Sequence, residues 1–405
     1  MIAREPTSSV DPEFYSRIDA ASETWIYGCG LAGQWLARQF DSRCKNFRGF
    51  IDTDEKKSGM LIGGHKVHSP KGVFGPGGLA KKDALIVISV IDIKDVLDLL
   101  HCFDVKVNYV PLGKHINVDS REMVENSESE QFLSYALSAV EECHKGFLEP
   151  KRLFLRSVDL IITERCSLKC RDCSNLMQYY SSPRNLSFEE IVRDFDRLMA
   201  GVDHVFEIRL IGGEPFMNKD IYRVLEHIIT TPNISRVVIY TNAMVPMNLK
   251  HAALLQDKRI VFSITNYGEL ANRTPEVISQ IEDLGVTFRQ SPPVNWTDSG
   301  TILSKKISAA SAQDLFEKCC GKNLLTLSDG KLYRCPFAAN GERLGAFSAE
   351  DVSGVSLSAR KFEIDKYVSD RQHIAACKYC KGRSFDSPEI IPAVQVKSPI
   401  DYVRA

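Results

Sequence analysis

Three cysteines lie close together in one short stretch of the chain, at Cys166, Cys170 and Cys173. Three residues separate the first two and two residues separate the last two, so one loop carries three thiols. A tetrahedral zinc site takes four ligands, usually from two separated cysteine pairs. Cubane iron–sulfur clusters are held by the thiolates of such runs. Three thiolates leave one iron of a cubane open, so the loop predicts a cluster that can bind a further molecule.

A second motif follows, where the mostly apolar run of residues 204–211 ends in Gly212, Gly213 and Glu214. The pattern predicts a buried strand that ends in a loop where the backbone approaches a ligand closely. The alternative is a tight strand-to-helix turn with an incidental acid. The order of the two motifs along the chain favours the ligand-binding interpretation.

The cysteine loop and the Gly-Gly-Glu sequence together resemble those of the radical S-adenosylmethionine (radical SAM) enzymes. The resemblance implies a [4Fe-4S] cluster on the three cysteines, with SAM chelating the fourth iron and Gly212, Gly213 and Glu214 meeting its amino group. It also implies reductive cleavage of SAM to a 5′-deoxyadenosyl radical that abstracts a substrate hydrogen, with an electron donor such as flavodoxin or ferredoxin. Asp172 departs from the family pattern, which has an aromatic residue beside the adenine.

The same resemblance implies three further SAM contacts at the ends of later strands. Asn242 follows Thr241 and is similar to the Thr-Asn pair that ends a core strand in many relatives. Ser263 and Arg289 stand where relatives often place groups that contact the ribose and carboxylate of SAM. The alternative for Ser263 and Arg289 is a cap or a surface pair.

The elements that must position these residues alternate between strands and helices. Residues 187–190 form a capping-box pattern, and residues 188–199 then place apolar side chains on one helical face. Strand-like runs follow at residues 236–241, 259–265 and 286–290, each separated by a helix-length segment. Such alternation predicts a parallel sheet with its site at the carboxyl ends of the strands. The family's partial (β/α)6 barrel fits this pattern.

The N-terminal region has its own glycine motif. Gly28, Gly30 and Gly33 lie between a strand-like run and a helix-like run, and Asp52 closes the next strand-like run. This arrangement is typical of a Rossmann-like nucleotide site, in which backbone N–H groups and a helix N-terminus favour a pyrophosphate and the acid contacts a ribose.

Residues 22–115 also resemble the Rossmann-like halves of nucleotide-sugar acetyltransferases and sugar C-methyltransferases, through the stretches at residues 49–59 and 63–70. The resemblance implies binding of a nucleotide or nucleotide sugar. The alternative is a docking domain whose glycines only make the turn.

The C-terminal region contains a further group of cysteines. An Asp-Gly turn at residues 329–330 predicts a hairpin that delivers Cys335, and Cys377 and Cys380 form a Cys-x2-Cys pair. With one cysteine of the pair Cys319 and Cys320 they make four thiols, which fit a structural zinc or a second cubane cluster.

This C-terminal pattern resembles the twitch extension of radical SAM enzymes, the short form of the SPASM domain, which holds one auxiliary [4Fe-4S] cluster. The spare cysteine, Cys319 or Cys320, is either a small buried residue or a hydrogen-atom donor to a substrate radical. The remaining cysteines are predicted to be core residues: Cys29, Cys44, Cys102 and Cys143.

Composition limits the class of protein. The chain has 405 residues, of which 44% are hydrophobic, and a formal net charge of −1. This balance predicts no general attraction to nucleic acid or to an anionic membrane. The longest apolar run, residues 84–91, is far shorter than a membrane span. Twelve cysteines without an apparent signal peptide predict a reducing, cytoplasmic location.

The predicted fold class is therefore α/β, in four segments. Residues 1–120 are a Rossmann-like nucleotide- or nucleotide-sugar-binding domain, and residues 121–152 are a linker and helix. Residues 153–310 are the radical SAM core, and residues 311–405 are a small cysteine-rich α+β extension with an auxiliary cluster.

The predicted function is hydrogen abstraction from a nucleotide-linked sugar or other carbohydrate, giving oxidation or epimerisation. The alternatives are a ribosomal-peptide maturase of the SPASM or twitch type, and a non-catalytic protein that binds zinc and a nucleotide.

Overall fold

The computed structural model describes most of the chain, namely residues 9–40, 44–81, 83–103, 108–117, 128–294, 296–303, 306–348, 350–370, 372–384 and 387–402. The contacts within the chain divide it into two compact units, Met1–Arg152 and Leu153–Ala405. No helix in the described ranges combines the length and the apolar character that a membrane crossing needs.

The first unit is an open sheet covered by helices on both faces. Its elements are β1 (Ser9–Val10), α1 (Pro12–Ala20), β2 (Thr24–Tyr27), α2 (Leu31–Phe40), β3 (Phe47–Ile51), β4 (Leu61–Ile62), β5 (His65–His68), α3 (Pro70–Phe74), β6 (Leu85–Ile88), α4 (Ile93–Cys102), β7 (Asn108–Pro111), β8 (Ile116–Asn117) and α5 (Glu128–Leu148).

The sheet order is β4-β5-β3-β2-β6-β7, and every pair is parallel except β4 with β5. The first strand of the parallel set, β2, therefore lies inside the sheet, with β3 on one side and β6 on the other. The strand order reverses at this point, which in open parallel sheets is where a crevice forms beyond the carboxyl ends of the strands. The glycine motif lies at this end of β2.

Residues 121–127 of the predicted linker lie outside the described residues. The helix predicted within residues 121–152 is present as α5. Its His144 is buried and joins two loops, since Gly113 N–H donates to Nδ1 at 2.9 Å and Nε2 contacts the carbonyl of Val90 at 2.7 Å. The prediction that the scattered cysteines are core residues holds for Cys29 and Cys143 but is wrong for Cys102, which is exposed near the end of α4.

The second unit is built on a larger sheet. Its elements are β9 (Phe154–Thr163), α6 (Phe188–Gly201), β10 (His204–Gly212), α7 (Ile221–Ile229), β11 (Ile234–Thr241), α8 (Ala252–Leu255), β12 (Ile260–Thr265), α9 (Thr274–Asp283), β13 (Thr287–Ser291), α10 (Ala309–Lys318), β14 (Leu325–Ser328), β15 (Lys331–Tyr333), α11 (Pro336–Arg343), β16 (Gly354–Ser356) and α12 (Lys361–Ser369).

The strand order is β13-β12-β11-β10-β9-β14-β15-β16. From β13 to β14 the neighbours are parallel, and β15 and β16 complete an antiparallel edge. Helices follow β9 to β12 because each intervening segment carries an apolar stripe, and α6 begins with the predicted capping box of Ser187 and Glu190. The predicted α/β class with parallel sheets is confirmed.

The two faces of this sheet differ in chemistry. Side chains such as Leu160, Ile208 and Phe262 pack under the helices in one large core. The opposite face carries polar side chains in register, including the buried Asp159 and its partner Arg209, whose carboxylate Oδ1 and guanidinium Nε are 2.5 Å apart. Because strand side chains alternate between faces, one face builds the core while the other is free to recognise polar groups.

The Asp-Gly turn forms the predicted hairpin between β14 and β15. Asp329 and Gly330 both have positive φ, of 49° and 72°, which two-residue hairpin turns require. Cys335 lies two residues after β15 and directly precedes α11.

Candidate functional site

The cysteine loop, residues 166–173, follows the carboxyl end of β9. Thr163 ends the strand, and its hydroxyl accepts a hydrogen bond from Arg165 N–H at 2.9 Å, which turns the chain out of the sheet. Within the loop, Cys173 N–H donates to the carbonyl of Cys170 at 3.3 Å. The loop is therefore a folded turn that holds its thiols at the edge of the sheet where parallel strands end.

The three thiols share one environment with Glu214. Burial raises the pKa of the Cys166 thiol, and negative charge on Glu214, Cys173 and Cys170 would raise it further. Burial likewise raises the pKa of Cys170, to about 11, although a hydrogen bond from Gln395 opposes the rise. Thiols with raised pKa values that face one another need a cation to become thiolates together. This donor set fits an iron–sulfur cluster, whose irons supply that charge.

The glycines of the second motif bring β10 against this loop. A Cβ on Gly212 would lie 2.0 Å from the carbonyl oxygen of Thr163, and one on Gly213 would lie 2.0 Å from that of Arg165. Gly212 also has a φ of 132°, which L side chains rarely adopt. Both glycines are therefore required for the backbone contact between β10 and the start of the cysteine loop. The close approach that the structure shows is to protein backbone, and the predicted approach to a ligand stays a prediction.

Glu214 is fully buried and holds the end of β11. Its carboxylate accepts hydrogen bonds from the Thr241 hydroxyl and from Asn242 N–H, each at 2.8 Å. Burial raises the pKa of Glu214 to about 7, against the lowering effect of these hydrogen bonds. In this structure the carboxylate links the end of β10 to Thr241 and Asn242, called here the Thr-Asn corner. The predicted contact with the amino group of SAM stays a prediction.

Asn242 reaches from this corner to the cysteine loop. Its Nδ2 donates to the hydroxyl of Ser167 at 3.0 Å and contacts Cys166 Sγ at 3.6 Å. Its backbone N–H is held by Glu214. The sequence motifs at residues 166–173, 212–214 and 241–242 are thus brought together as one hydrogen-bonded site.

Ser263 and Arg289 lie on neighbouring strands and bind each other. Arg289 Nε donates to Ser263 Oγ at 2.8 Å, and its Nη2 donates to the Tyr240 hydroxyl at 2.6 Å. The three residues lie in register on β11, β12 and β13, on the polar face of the sheet. The arrangement is a fixed polar row, and the SAM contacts predicted for Ser263 and Arg289 remain predictions.

Tyr267 belongs to the site but gave no signal in the sequence. Tyr267 lies just beyond β12, where burial and the negative charges of the three loop thiols and Glu214 raise its pKa, so its hydroxyl faces the site. Its ring meets that of Trp296 edge to face, with centroids 6.3 Å apart. A tyrosine after a strand is too common to single out, although it supplies aromatic surface near the loop in which Asp172 replaces the family's aromatic residue.

The C-terminal thiols form a second group. Gly321 N–H donates to Cys319 Sγ at 3.3 Å, and Gly382 N–H donates to Cys380 Sγ at 3.1 Å. Burial raises the pKa of Cys335 to about 12 and that of Cys377 to about 11. Negative charge on Cys319 contributes to both increases.

Which of Cys319 and Cys320 is the spare cysteine of this group stays a prediction. Burial raises the pKa of Cys380, and the charges of Cys335, Cys319 and Cys377 raise it further. Cys320 shares a hydrogen bond with Cys319, which lowers the pKa of the Cys319 thiol and raises that of Cys320, and the charge of Cys335 also raises the pKa of Cys320.

The described residues contain no group of three or more His, Cys, Asp or Glu side chains that could hold a single metal ion. Zinc draws its sulfur ligands to about 2.3 Å from one centre. A four-iron cluster is larger than one ion, so its thiolates stand further apart.

The predicted nucleotide site of the first unit has a well-defined glycine turn. A Cβ on Gly28 would lie 2.4 Å from Val90 Cγ1, and one on Gly33 would lie 2.0 Å from the carbonyl oxygen of Gly28. A Cβ on Gly30 would meet nothing within 4 Å. The first and third glycines serve packing within the fold, and Gly30 is where another molecule has room to approach.

Asp52 is turned toward this glycine turn. Its Oδ2 accepts hydrogen bonds from Cys29 N–H at 3.2 Å and from the Cys29 thiol at 2.9 Å, and Lys57 lies 3.5 Å away. Burial acts to raise the pKa of Asp52, but these hydrogen bonds and Lys57 hold it below its ordinary value. The predicted ribose contact would therefore compete with the bonds to Cys29.

Residues 160–279 match the family model of the radical SAM superfamily. This segment of the chain is similar to radical SAM domains. The match begins in β9 and ends in α9, so it includes the cysteine loop, the Gly-Gly-Glu sequence and the Thr-Asn corner. The resemblance stated for these motifs is confirmed at the level of the domain, which implies a [4Fe-4S] cluster and SAM.

Curated relatives match part of this chain over only part of their own length. GTP 3′,8-cyclase of Aquifex aeolicus (strain VF5) is 26% identical over 140 residues, which is 33% of this chain and 42% of the relative. Molybdenum cofactor biosynthesis protein moc-5 of Caenorhabditis elegans is 38% identical over 87 residues, which is 21% of this chain and 14% of the relative. The chain thus spans less than half of either relative.

Solved structures give more distant matches. The crystal structure of BtrN in complex with AdoMet and 2-DOIA is 14% identical, covers 61% of this chain and 98% of its own, and has a TM-score of 0.40. The crystal structure of Streptococcus suis SuiB bound to S-adenosylmethionine is 15% identical, covers 58% of this chain and 51% of its own, and has a TM-score of 0.28.

Proposed function

We propose that the chain is a radical SAM enzyme that cleaves SAM reductively and abstracts hydrogen from a nucleotide-linked sugar or another carbohydrate. The observation that carries the first part is the convergence of the three loop thiols, Glu214 and Asn242 at one edge of the sheet, inside the segment that matches the family model. The substrate class rests on the resemblance of the first unit and on its open glycine turn.

The protein's own residues would hold and orient the cofactors. Cys166, Cys170 and Cys173 would ligate a [4Fe-4S] cluster, which with SAM supplies an electron and a 5′-deoxyadenosyl radical. Gly213 keeps β10 against the loop, and Glu214 fixes the backbone of Asn242. Ser263 and Arg289, which bind each other beside Tyr240, would contact the ribose and carboxylate of SAM.

The C-terminal thiols support a second, auxiliary cluster on Cys319, Cys335, Cys377 and Cys380. The Sγ atoms of Cys319 and Cys380 each accept a hydrogen bond from a backbone N–H, and cluster-ligating sulfurs commonly accept such bonds. Cys320 is then the spare thiol. An auxiliary cluster would supply an electron acceptor, so oxidation of a C–H bond is the outcome that we propose, with epimerisation as the second.

Anaerobic reconstitution with iron and sulfide tests the radical SAM function. The native chain should form a cluster whose electron paramagnetic resonance (EPR) signal changes when SAM is added, and should release 5′-deoxyadenosine under reduction. Cys166→Ala should lose both properties, whereas Cys102→Ala, at an exposed site in the first unit, should keep them. Bound zinc without SAM cleavage would instead establish the non-catalytic alternative.

The substrate class needs a separate measurement. Calorimetric titration with UDP-glucose and GDP-mannose should show binding that Gly30→Ala weakens, because the added Cβ occupies the open side of the turn and meets no other atom of the fold within 4 Å. Met60→Ala, at an exposed site, is the matched control. Binding that is equal in all three proteins, or absent from the native one, would contradict this assignment and favour the peptide-maturase alternative.

A further inference from the structure

The C-terminal segment of residues 393–396 pairs with the cysteine loop. Gln395 and Cys170 form an antiparallel bridge. On either side of it, Arg171 N–H donates to the carbonyl of Val394 at 2.7 Å, and Val396 N–H donates to that of Lys169 at 2.8 Å. A segment more than two hundred residues away in sequence thus forms a short strand along the outer side of the loop.

The side chain of Gln395 is fixed in one orientation. Its Oε1 accepts a hydrogen bond from Lys169 N–H at 2.7 Å, and its Nε2 donates to the carbonyl of Ala393 at 2.7 Å. A flipped amide would set donor against donor at Lys169 and acceptor against acceptor at Ala393. The backbone of Ala393 is in the left-handed region, with a φ of 57°, which turns its carbonyl to this amide. The second proton of Nε2 is therefore directed at another acceptor.

That acceptor is Cys170 Sγ, 3.2 Å from Gln395 Nε2. Asn242 Nδ2 lies 3.6 Å from Cys166 Sγ, so the shorter side-chain contact to a loop thiol comes from the C-terminal segment. Hydrogen bonds to the sulfurs of an iron–sulfur cluster withdraw negative charge and so favour its reduced form. Neutral amide donors do this without adding a charge to the site.

We propose that Gln395 is a positioning residue for the catalytic cluster, which raises the reduction potential of the cluster through the N–H···S bond to Cys170. This inference rests on the proposed function, since it requires a cluster on the loop. Gln395 acts through Cys170 and the backbone of Lys169, and the C-terminal segment is thereby part of the cluster-binding site.

Two variants separate this role from simple support of the loop. Gln395→Glu keeps an oxygen to accept from Lys169 N–H but has no N–H for the sulfur or for the Ala393 carbonyl, whereas Gln395→Leu loses all three bonds. Lys397→Glu, at an exposed position two residues away, adds negative charge while leaving the amide in place. The added charge of Gln395→Glu can thereby be told apart from the loss of the donor.

The test is a potentiometric titration of the reconstituted full-length chain, followed through the SAM-responsive EPR signal. We expect both Gln395 variants to shift the midpoint to more negative potential, with about a tenfold lower ratio of reduced to oxidised cluster at fixed potential, or about 59 mV for a one-electron couple. Hydrogen–deuterium exchange of the cluster-free chain should show residues 168–171 still protected in Gln395→Glu and less protected in Gln395→Leu.

The outcomes are distinct. Equal midpoints in the native chain and both variants would overturn the inference, as would a shift in Gln395→Leu alone, which would mean that only the loop's position matters. If the midpoint shifts as much in Lys397→Glu as in Gln395→Glu and does not shift in Gln395→Leu, the added negative charge alone would explain the shift. That result would also overturn the inference. A native chain without any SAM-responsive signal would refute the proposed function itself.

Discussion

Gly213 lies against the start of the cysteine loop more closely than any residue with a side chain could. A Cβ there would come within 2.0 Å of the carbonyl oxygen of Arg165 and 2.9 Å of the amide nitrogen of Cys166. Both neighbours are backbone atoms, which cannot move aside by changing a rotamer. The start of the cysteine loop can therefore lie where it does only because Gly213, directly after β10, has no Cβ.

Gly213→Ala should therefore displace the loop. We expect a loss of about 1–3 kcal/mol in the free energy of unfolding from overpacking, together with a reduced yield of the SAM-responsive cluster. Urea unfolding and iron content after reconstitution measure the two effects. Gly201→Ala is the control, because its added carbon would meet only the end of the Ile364 side chain at 3.1 Å. Full cluster loading in Gly213→Ala would show that the loop can move without loss.

A second prediction at this scale concerns the pair Asp159 and Arg209. Asp159 is 2% exposed, and burial raises its pKa while Arg209 opposes the rise. Removing the cation alone leaves a buried carboxyl without its partner, so Arg209→Met should cost about 3–5 kcal/mol. The double variant Asp159→Leu with Arg209→Met should recover most of that loss, as measured by urea unfolding followed by circular dichroism. A double variant as unstable as the single one would mean that the pair does more than balance charge.

The residues that the sequence revealed are those whose type is rare or whose spacing is short-range. The thiols, the two glycines and Glu214 stand in compact motifs, and the structure brings them together as one site. Tyr267 and Gln395 contribute to the same site, although both are far in sequence from the cysteine loop. Each is a common residue type in an irregular segment. Their roles depend on tertiary contacts that no local pattern encodes.

At the scale of elements, periodicity and capping predicted the strands and helices of the second unit well. The strands expected at residues 236–241 and 259–265 are Ile234–Thr241 and Ile260–Thr265. The pairing of β14 beside β9 could not be foreseen, because it joins strands that are far apart in sequence. Strand order depends on burial in the finished sheet, whereas each strand's existence depends on its own residues.

Helix α5 of the first unit carries a pH-sensitive contact. His144 is buried, and burial lowers its pKa from 6.5 to about 4 while the bond to the carbonyl of Val90 opposes the change. With Gly113 N–H donating to Nδ1, the folded state holds a neutral ring with its proton on Nε2. Between these two pKa values the unfolded chain binds a proton that the folded chain does not.

Stability of the first unit should therefore fall as the pH drops from about 6.5 toward 4, by about 3 kcal/mol in all at 1.36 kcal/mol per unit of pKa. His144→Gln should be less stable than the native chain at pH 7 but should lose this dependence on pH. The measurement is urea unfolding of the full chain at several pH values, read from exchange-protected peptides of β6. His101→Gln, at an exposed histidine, should keep the native slope; an equal loss of slope there would exclude His144 as the cause.

At the scale of the whole molecule, the chain combines two compact units and carries both thiol groups in the second unit. The cysteine loop follows β9, and the C-terminal thiols lie around β15, α11 and the last turns of the chain. The antiparallel strands β14 and β15 connect the two regions through one continuous sheet. A cofactor on the C-terminal thiols would therefore be built on the same sheet as the loop, which makes the number of clusters a property of the second unit as a whole.

Iron stoichiometry decides that number. Two four-iron clusters predict about eight irons per chain after reconstitution. Cys335→Ala should retain about four together with the SAM-responsive signal, because its thiol belongs to the C-terminal group and the loop thiols remain. Cys320→Ala is the matched control: it lies beside Cys319 but outside the proposed ligand set, so it should keep about eight. A loss of four irons in Cys320→Ala but not in Cys319→Ala would make Cys320 the ligand and Cys319 the spare thiol. Only four irons in the native chain would mean that the C-terminal thiols hold no cluster.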